Sequence, residues 1–142
     1  MGNTIVLALL RSPLTRLLGG LGELEFTGRR SGRAVRLPVQ YARDGDRVVV
    51  HVGHTAGKRW WRNFTDPHPV RVHARGATLV GIGRLVRTGD VDRPEAERVY
   101  RQRYPKAALS TNDPMVLIEP APDLAAGLDD TRPGSPPGGG RG

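Results

Sequence analysis

Two short segments concentrate residues able to hold an anion or a planar ring. The first, TGRRSGR at 27–33, sets Arg29, Arg30, Ser31 and Arg33 among Gly28 and Gly32. The glycines permit a tight loop with exposed amide N–H groups, which between strands can form an anion nest. Arginine forks match phosphate and carboxylate bidentately. The second segment, KRWWRNF at 58–64, places both tryptophans of the chain beside Lys58, Arg59 and Arg62. On a helix Trp60 and Asn63 share a face, whereas Trp61 points about 100° away. Trp60 with Asn63 would then wall a planar ligand, Trp61 with Phe64 would do another job, and one indole is expected to plug the core.

Other chemistries find little support. With no cysteine there is no thiol nucleophile, thiolate metal site or disulfide. His51 and His54 could reach one metal, but no third ligand has suitable spacing, so no metal is expected. There is no GxSxG, and Ser31 and Ser110 sit in ordinary loops. Neither GxGxxG before a helix nor GxxxxGK[ST] occurs. Acidic residues are sparse and lie mostly in turns, which disfavours a paired-carboxylate hydrolase. A chain without a catalytic constellation either only binds, or orients a cofactor that brings the chemistry.

Charge points the same way. The 142 residues carry 22 Lys+Arg and 14 Asp+Glu, a formal net charge of +8. The segment after residue 120, with Arg132, Arg141, Asp123, Asp129 and Asp130, dilutes this; residues 1–120 carry +9. Between Phe26 and Phe64 stand nine basic residues and two acidic ones. A genome rich in G and C explains a preference for Arg over Lys. It does not explain that placement, which suits a polyanionic small molecule better than a general affinity for nucleic acid.

The elements that must position these groups follow from periodicity. Residues 3–18 read as a helix with Leu7, Leu10, Leu14, Leu17 and Leu18 on one face, interrupted at Pro13 and ended by Gly19, Gly20 and Gly22. This helix docks on the core; a secondary expectation is that it rests on a membrane surface. TIVLALL is too short to span one, and no signal peptide is evident, so the expected location is the cytoplasm. Alternation predicts strands at 24–26, 35–41, 47–52, 70–75 and 78–87, with a last buried strand at 114–119. Pro38 assigns the second to an edge or bulge. Asp44-Gly45 suggests a type I′ turn. Asp92-Arg93-Pro94-Glu95 opens a helix running to about Arg103. Six strands with short links predict a mainly β fold with flanking helices, closed or partly closed as a small barrel over residues 1–120. Residues 121–142 are too rich in Pro and Gly to bury apolar surface and are expected to be a disordered tail.

The segments LLRSPLTRLL, TGRRSGR, LPVQYARDGDRVVV and KRWWRN, with a closing apolar strand ending in Glu-Pro, together resemble a known family. It is the deazaflavin-dependent nitroreductases of actinobacteria, also called coenzyme F420-dependent quinone or nitro reductases. The resemblance spans about residues 5–120. It implies a split β-barrel, FMN-binding-like and related to the pyridoxamine-phosphate-oxidase-like barrels, and hydride transfer from a reduced deazaflavin to a small quinone, enone or nitro compound. By position, Arg29 and Arg30, with Ser31 and Arg33, would hold the phosphate and glutamate tail of coenzyme F420. Pro38, Val39 and Gln40 would lie along its ring. Trp60 and Asn63 would stand beside it, with Lys58 and Arg59 near its anionic part. Tyr104, Tyr41 or solvent would supply the proton that completes the reduction. Gln40 stands where the family often carries a tyrosine. Two alternatives stay open: a split-barrel protein binding FMN, haem or no cofactor, and a basic nucleic-acid-binding module. The expected assembly is a monomer or homodimer.

Overall fold

The computed structural model describes residues 19–53 and 59–121. The expected N-terminal helix, Lys58, His54 and the Pro/Gly-rich tail lie outside the described residues. Six strands form a closed antiparallel barrel: β1 (Gly19–Thr27), β2 (Ala34–Asp44), β3 (Arg47–His51), β4 (His68–Ala74), β5 (Ala77–Val86) and β6 (Met115–Pro120). Their order around the barrel is β1-β2-β3-β6-β5-β4, with β1 returning to β4. A 3₁₀ helix, Trp60–Phe64, precedes β4, and α1 (Arg93–Arg103) precedes β6. The expected barrel and its late helix are both present. The glycines at 19–22, read as a helix stop, instead begin β1.

Side-chain alternation builds two cores. Val48, Val50, Val116 and Ile118 face the barrel interior with Leu24, Phe26, Tyr41, Val70 and Val72. Their neighbours Val49, Met115 and Leu117 face outward, under Ala96, Val99 and Tyr100 of α1. Both faces of β3 and β6 are therefore dry, which is why these strands read as continuous apolar runs. The core plug is neither tryptophan but Phe64, which is fully buried. Gly83 makes room for it, since a Cβ there would stand 2.9 Å from two ring carbons of Phe64. Gly81 lets β6 approach, because its Cβ would lie 2.4 Å from the Glu119 carbonyl oxygen.

The turns differ from expectation in one respect. Between β2 and β3, Asp44 pairs with Arg47, so the loop is Gly45-Asp46, and of these only Gly45 has positive φ. The hairpin with two consecutive positive φ values, as a type I′ turn requires, is Arg75-Gly76 between β4 and β5, at 53° and 80°.

Ion pairs fasten α1 to the β2–β3 hairpin. Arg98 reaches Asp44 at 2.8 Å and also Glu95, while Arg47 reaches Glu95 at 2.8 Å. Hydrogen bonds from Arg98, then Arg47, hold the Glu95 carboxyl at about 2, below its ordinary 4.5. A carboxyl with a lowered folded-state pKa stabilises the fold fully above its ordinary value and loses that contribution as pH falls toward the lowered one. The melting temperature is therefore expected to decline between about pH 4.5 and 2, and Glu95→Gln to remove part of that decline. Because the pair is exposed, added salt should shrink the difference; identical acid profiles for the two proteins would contradict it.

Candidate active site

The site begins where two strands part company. β2 pairs with β1 from Ala34 to Ala42, but with β3 only from Tyr41 to Asp44. The first seven residues of β2, Ala34–Gln40, thus have a free side. Pro38 lies there, so its missing N–H costs no ladder bond, in keeping with the expected edge position. Past the Tyr41–Val50 pair the chains diverge, and Val52 instead donates to the Pro114 carbonyl at 3.0 Å. The gap is a cleft of about 1000 Å³. One wall is Leu37 to Gln40, another is Val50 to Gly53, and Trp60, Tyr100, Ala107, Ala108, Ser110 and Asp113 complete it. Of the sequence-predicted residues, Pro38, Val39, Gln40 and Trp60 meet here. A smaller cavity of about 260 Å³, beside Phe26 and His68, contains none of them.

Trp60 is set by a chain of hydrogen bonds from the arginine turn. The Arg29 amide donates to Asn63 Oδ1 at 2.8 Å, and Asn63 Nδ2 donates to the Trp60 carbonyl at 2.8 Å. The Arg29 guanidinium donates through Nε to the Asn63 carbonyl, and through Nη2 to those of Asp66 and Pro67. Three of its five N–H donors are thereby committed to backbone. Arg29 and Asn63, expected to touch the cofactor, are a staple joining the β1–β2 turn to the 3₁₀ helix. Asn63→Ala would leave the Arg29 N–H and the Trp60 carbonyl without these partners. It is expected to cost about 1–3 kcal/mol, nearer the lower figure at this half-exposed site. Chemical denaturation checks this; an unchanged midpoint would dissolve the staple.

The same turn fills most of its own anion nest. Gly28 N–H donates to Arg33 O, Gly32 N–H to Gly28 O, and Arg33 N–H to Ser31 Oγ. Ser31 therefore braces the turn, and only the amides of Arg30 and Ser31 have no partner among the described residues. The cations themselves are differently placed. Arg36 pairs with Glu23, Arg47 with Glu95, Arg84 with Asp90 and Asp92, and Arg98 with Glu95. No ion pair among the described residues involves Arg30, Arg33 or Arg59, all of them exposed. Trp61 stacks under Arg62 and Arg87, at 5.5 and 5.3 Å from their guanidinium carbons, which separates its role from that of Trp60.

Neither of the two tyrosines expected to donate a proton lines the cleft, though Tyr104 interacts with the side chain of Gln40 in its wall. Tyr41 lies in the barrel interior, with its ring against Gly22. The Tyr104 hydroxyl donates to the Tyr41 carbonyl at 2.7 Å, pinning the end of α1 to β2. The tyrosine in the cleft wall is Tyr100. Burial raises the pKa of both Tyr100 and Tyr104, so their hydroxyls keep their protons.

One pair in the cleft is absent from the sequence expectations. His51 Nε2 lies 2.8 Å from Asp113 Oδ2, and the two side chains are 10% and 18% exposed. The Ser110 N–H donates to the same oxygen, at 3.2 Å. Behind them is Arg93, which is buried. Its guanidinium donates to the carbonyls of Val86, Ser110 and Asp113 and to the Glu97 carboxylate at 2.7 Å. His51 and Asp113 are 62 residues apart, and no local pattern announces the pair. Among the described residues no group of His, Asp and Glu could hold a metal ion, and no helix is long and apolar enough to cross a membrane.

Comparison with known proteins bears on this geometry. No curated protein matches the chain. Among solved structures, a FAD and haem binding protein from Mycobacterium smegmatis superposes with a TM-score of 0.55 at 20% identity, over 80% of this chain and 67% of that one. A structure described as a domain-swapped dimer has a TM-score of 0.55 at 16% identity, over 70% and 79% of the two chains. An F420-H2 dependent reductase, FDR-A, has a TM-score of 0.53 at 15% identity, over 70% and 93%. These likenesses concern the fold, a split β-barrel. Residues 13–116 match the F420H(2)-dependent quinone reductase family, a match that spans the arginine turn, the cleft wall and the 3₁₀ helix alike. The chain belongs to that family of deazaflavin-dependent oxidoreductases.

Proposed function

We propose that this chain binds coenzyme F420 with its ring in the cleft beside β2 and its anionic tail at the arginine turn, and passes hydride to a small quinone. The observation that carries the reading is the free side of β2. It supplies a wall from the turn to the cleft, with exposed Arg30 and Arg33 at one end and Pro38 to Gln40 at the other. Pro38 stands five residues beyond Arg33, about 17 Å at the usual strand rise. That span suits a planar ring joined to a long polyanion. Trp60 would face the ring, Gln40 would offer its amide, and Arg30, Arg33 and Arg59 would neutralise the tail. The bound reduced deazaflavin supplies the hydride. The chain's own residues orient the acceptor, narrow water's access to it and hold a proton ready.

Mixing the protein with F420H2 and a quinone such as menadione tests this. Catalytic return of the oxidised deazaflavin's visible absorption is the expected result. No turnover with any quinone, enone or nitroarene, alongside a tightly bound FMN or haem in the purified protein, would overturn it.

A further inference from the structure

We propose that His51, held by Asp113, is the proton donor to the substrate oxygen; this rests on the reading of the cleft as the reductase site. A quinone becomes a hydroquinone by gaining a hydride and a proton. The reduced deazaflavin supplies the hydride and is oxidised. The proton must come from a group in the cleft that can be recharged from solvent.

His51 meets those needs. It sits at the end of β3, in the cleft wall opposite Gln40. A carboxylate only accepts, so Nε2 carries the proton in the 2.8 Å contact with Asp113. Nδ1 is then the nitrogen that takes up and gives away a second proton. It lies on the side of Gly53, where a Cβ would stand 3.7 Å from it, and His51 and Gly53 both line the cleft. The ring is fixed on its other sides. Tyr100 packs against it with centroids 5.4 Å apart. Asp113 is itself fixed by the Ser110 N–H and, through its backbone, by Arg93. Among the described residues, the charged or titratable groups around the imidazole are Asp113 beside it, Tyr100 from α1, and the Arg93–Glu97 pair behind Asp113. Along β3 and β6 its neighbours Val50 and Met115 are apolar.

The step balances. Hydride gained by the quinone makes the first O–H bond and leaves the hydroquinone monoanion; the N–H bond at Nδ1 of the imidazolium then breaks as the second O–H bond forms on the remaining anionic oxygen. The neutral imidazole keeps its Nε2–H on Asp113, and solvent returns a proton to Nδ1. Asp113 is a positioning residue, fixing the ring and its tautomer and compensating the imidazolium charge.

The test compares wild type, His51→Gln and Asp113→Asn. F420 affinity should stay within about threefold in both variants, since neither side chain is assigned to the tail or ring. His51→Gln should lower kcat about 100-fold with little change in KM, in the range of a lost general acid. Asp113→Asn keeps an acceptor for Nε2–H and should lose about tenfold in kcat, with KM held. A second readout needs no turnover. With oxidised F420 bound, calorimetry should show 4-nitrophenolate, which carries the same anionic phenolic oxygen as a half-protonated hydroquinone, binding at least tenfold more weakly to His51→Gln. Normal F420 binding with kcat within threefold of wild type in the folded variants, or equal 4-nitrophenolate affinity, overturns the proton donor and leaves the reductase reading standing. Failure of wild type to bind F420 overturns both.

Discussion

Replacing Arg93 with Ala is expected to destabilise the protein by about 3–5 kcal/mol, the cost of breaking a buried charge network by removing one partner. Its guanidinium is 5% exposed and ties Val86 at the end of β5, Ser110 and Asp113 in the loop before β6, and Glu97 within α1. Without it, three carbonyls lose charge-assisted donors, and Glu97 loses its partner. At roughly 4 °C per kcal/mol for a domain of this size, the melting temperature should fall by about 10–20 °C. Arg101→Ala is the control. Arg101 is exposed on the same helix, and its removal should change stability by less than about 0.5 kcal/mol. Scanning calorimetry on the two variants checks the contrast. Arg93 also sets the loop bearing Asp113, so the same variant should loosen the His51 side of the cleft. A small effect at Arg93 would show that the loop is held by other contacts.

The second large effect concerns binding. Arg30→Ala with Arg33→Ala removes two exposed cations with no ion-pair partner among the described residues. At about 1 kcal/mol for each exposed charge contact, F420 affinity should drop about 30-fold. The affinity that remains should depend less on ionic strength, because fewer screened contacts are left. Stability should be unaffected. Arg29→Ala should behave in the opposite sense, since its donors serve the carbonyls of Asn63, Asp66 and Pro67. It should lower stability and alter the salt dependence of binding little. Titrations at several salt concentrations separate the two. Equal salt dependence for wild type and the double variant would remove the tail from this turn.

These contrasts mark where the sequence was legible. Strand alternation in ELEF and RLPVQY follows from the pleat, and the apolar run RVVVHV from two dry faces, so the barrel could be read locally. Pro38 announced the free side of β2, and the WWRN spacing set Trp60 and Asn63 three residues apart, where the Asn63 amide reaches the Trp60 carbonyl. The identity of the groups facing the cleft was not legible in the same way. Tyr104 and Tyr41 have suitable chemistry, but the closing of the barrel turns Tyr41 inward and spends the Tyr104 hydroxyl on a backbone carbonyl. Arg29 and Asn63 are 34 residues apart, and His51 and Asp113 are 62 apart. Contacts at such separation depend on strand order and register, which no local pattern encodes. Arg93 shows the same limit: in sequence it is the start of a helix, and in the fold it is a buried node among three elements.

The central claim is that the deazaflavin ring lies in the cleft against Trp60. It is tested most directly by fluorescence titration of Trp61→Phe, in which Trp60 is the single indole of the chain. The account predicts saturable quenching by F420 that excess FMN does not reproduce, with the same affinity as wild type because Trp61 stacks on Arg62 and Arg87 and does not line the cleft. Undiminished Trp60 emission at F420 concentrations that saturate wild type would place the cofactor elsewhere and contradict the account.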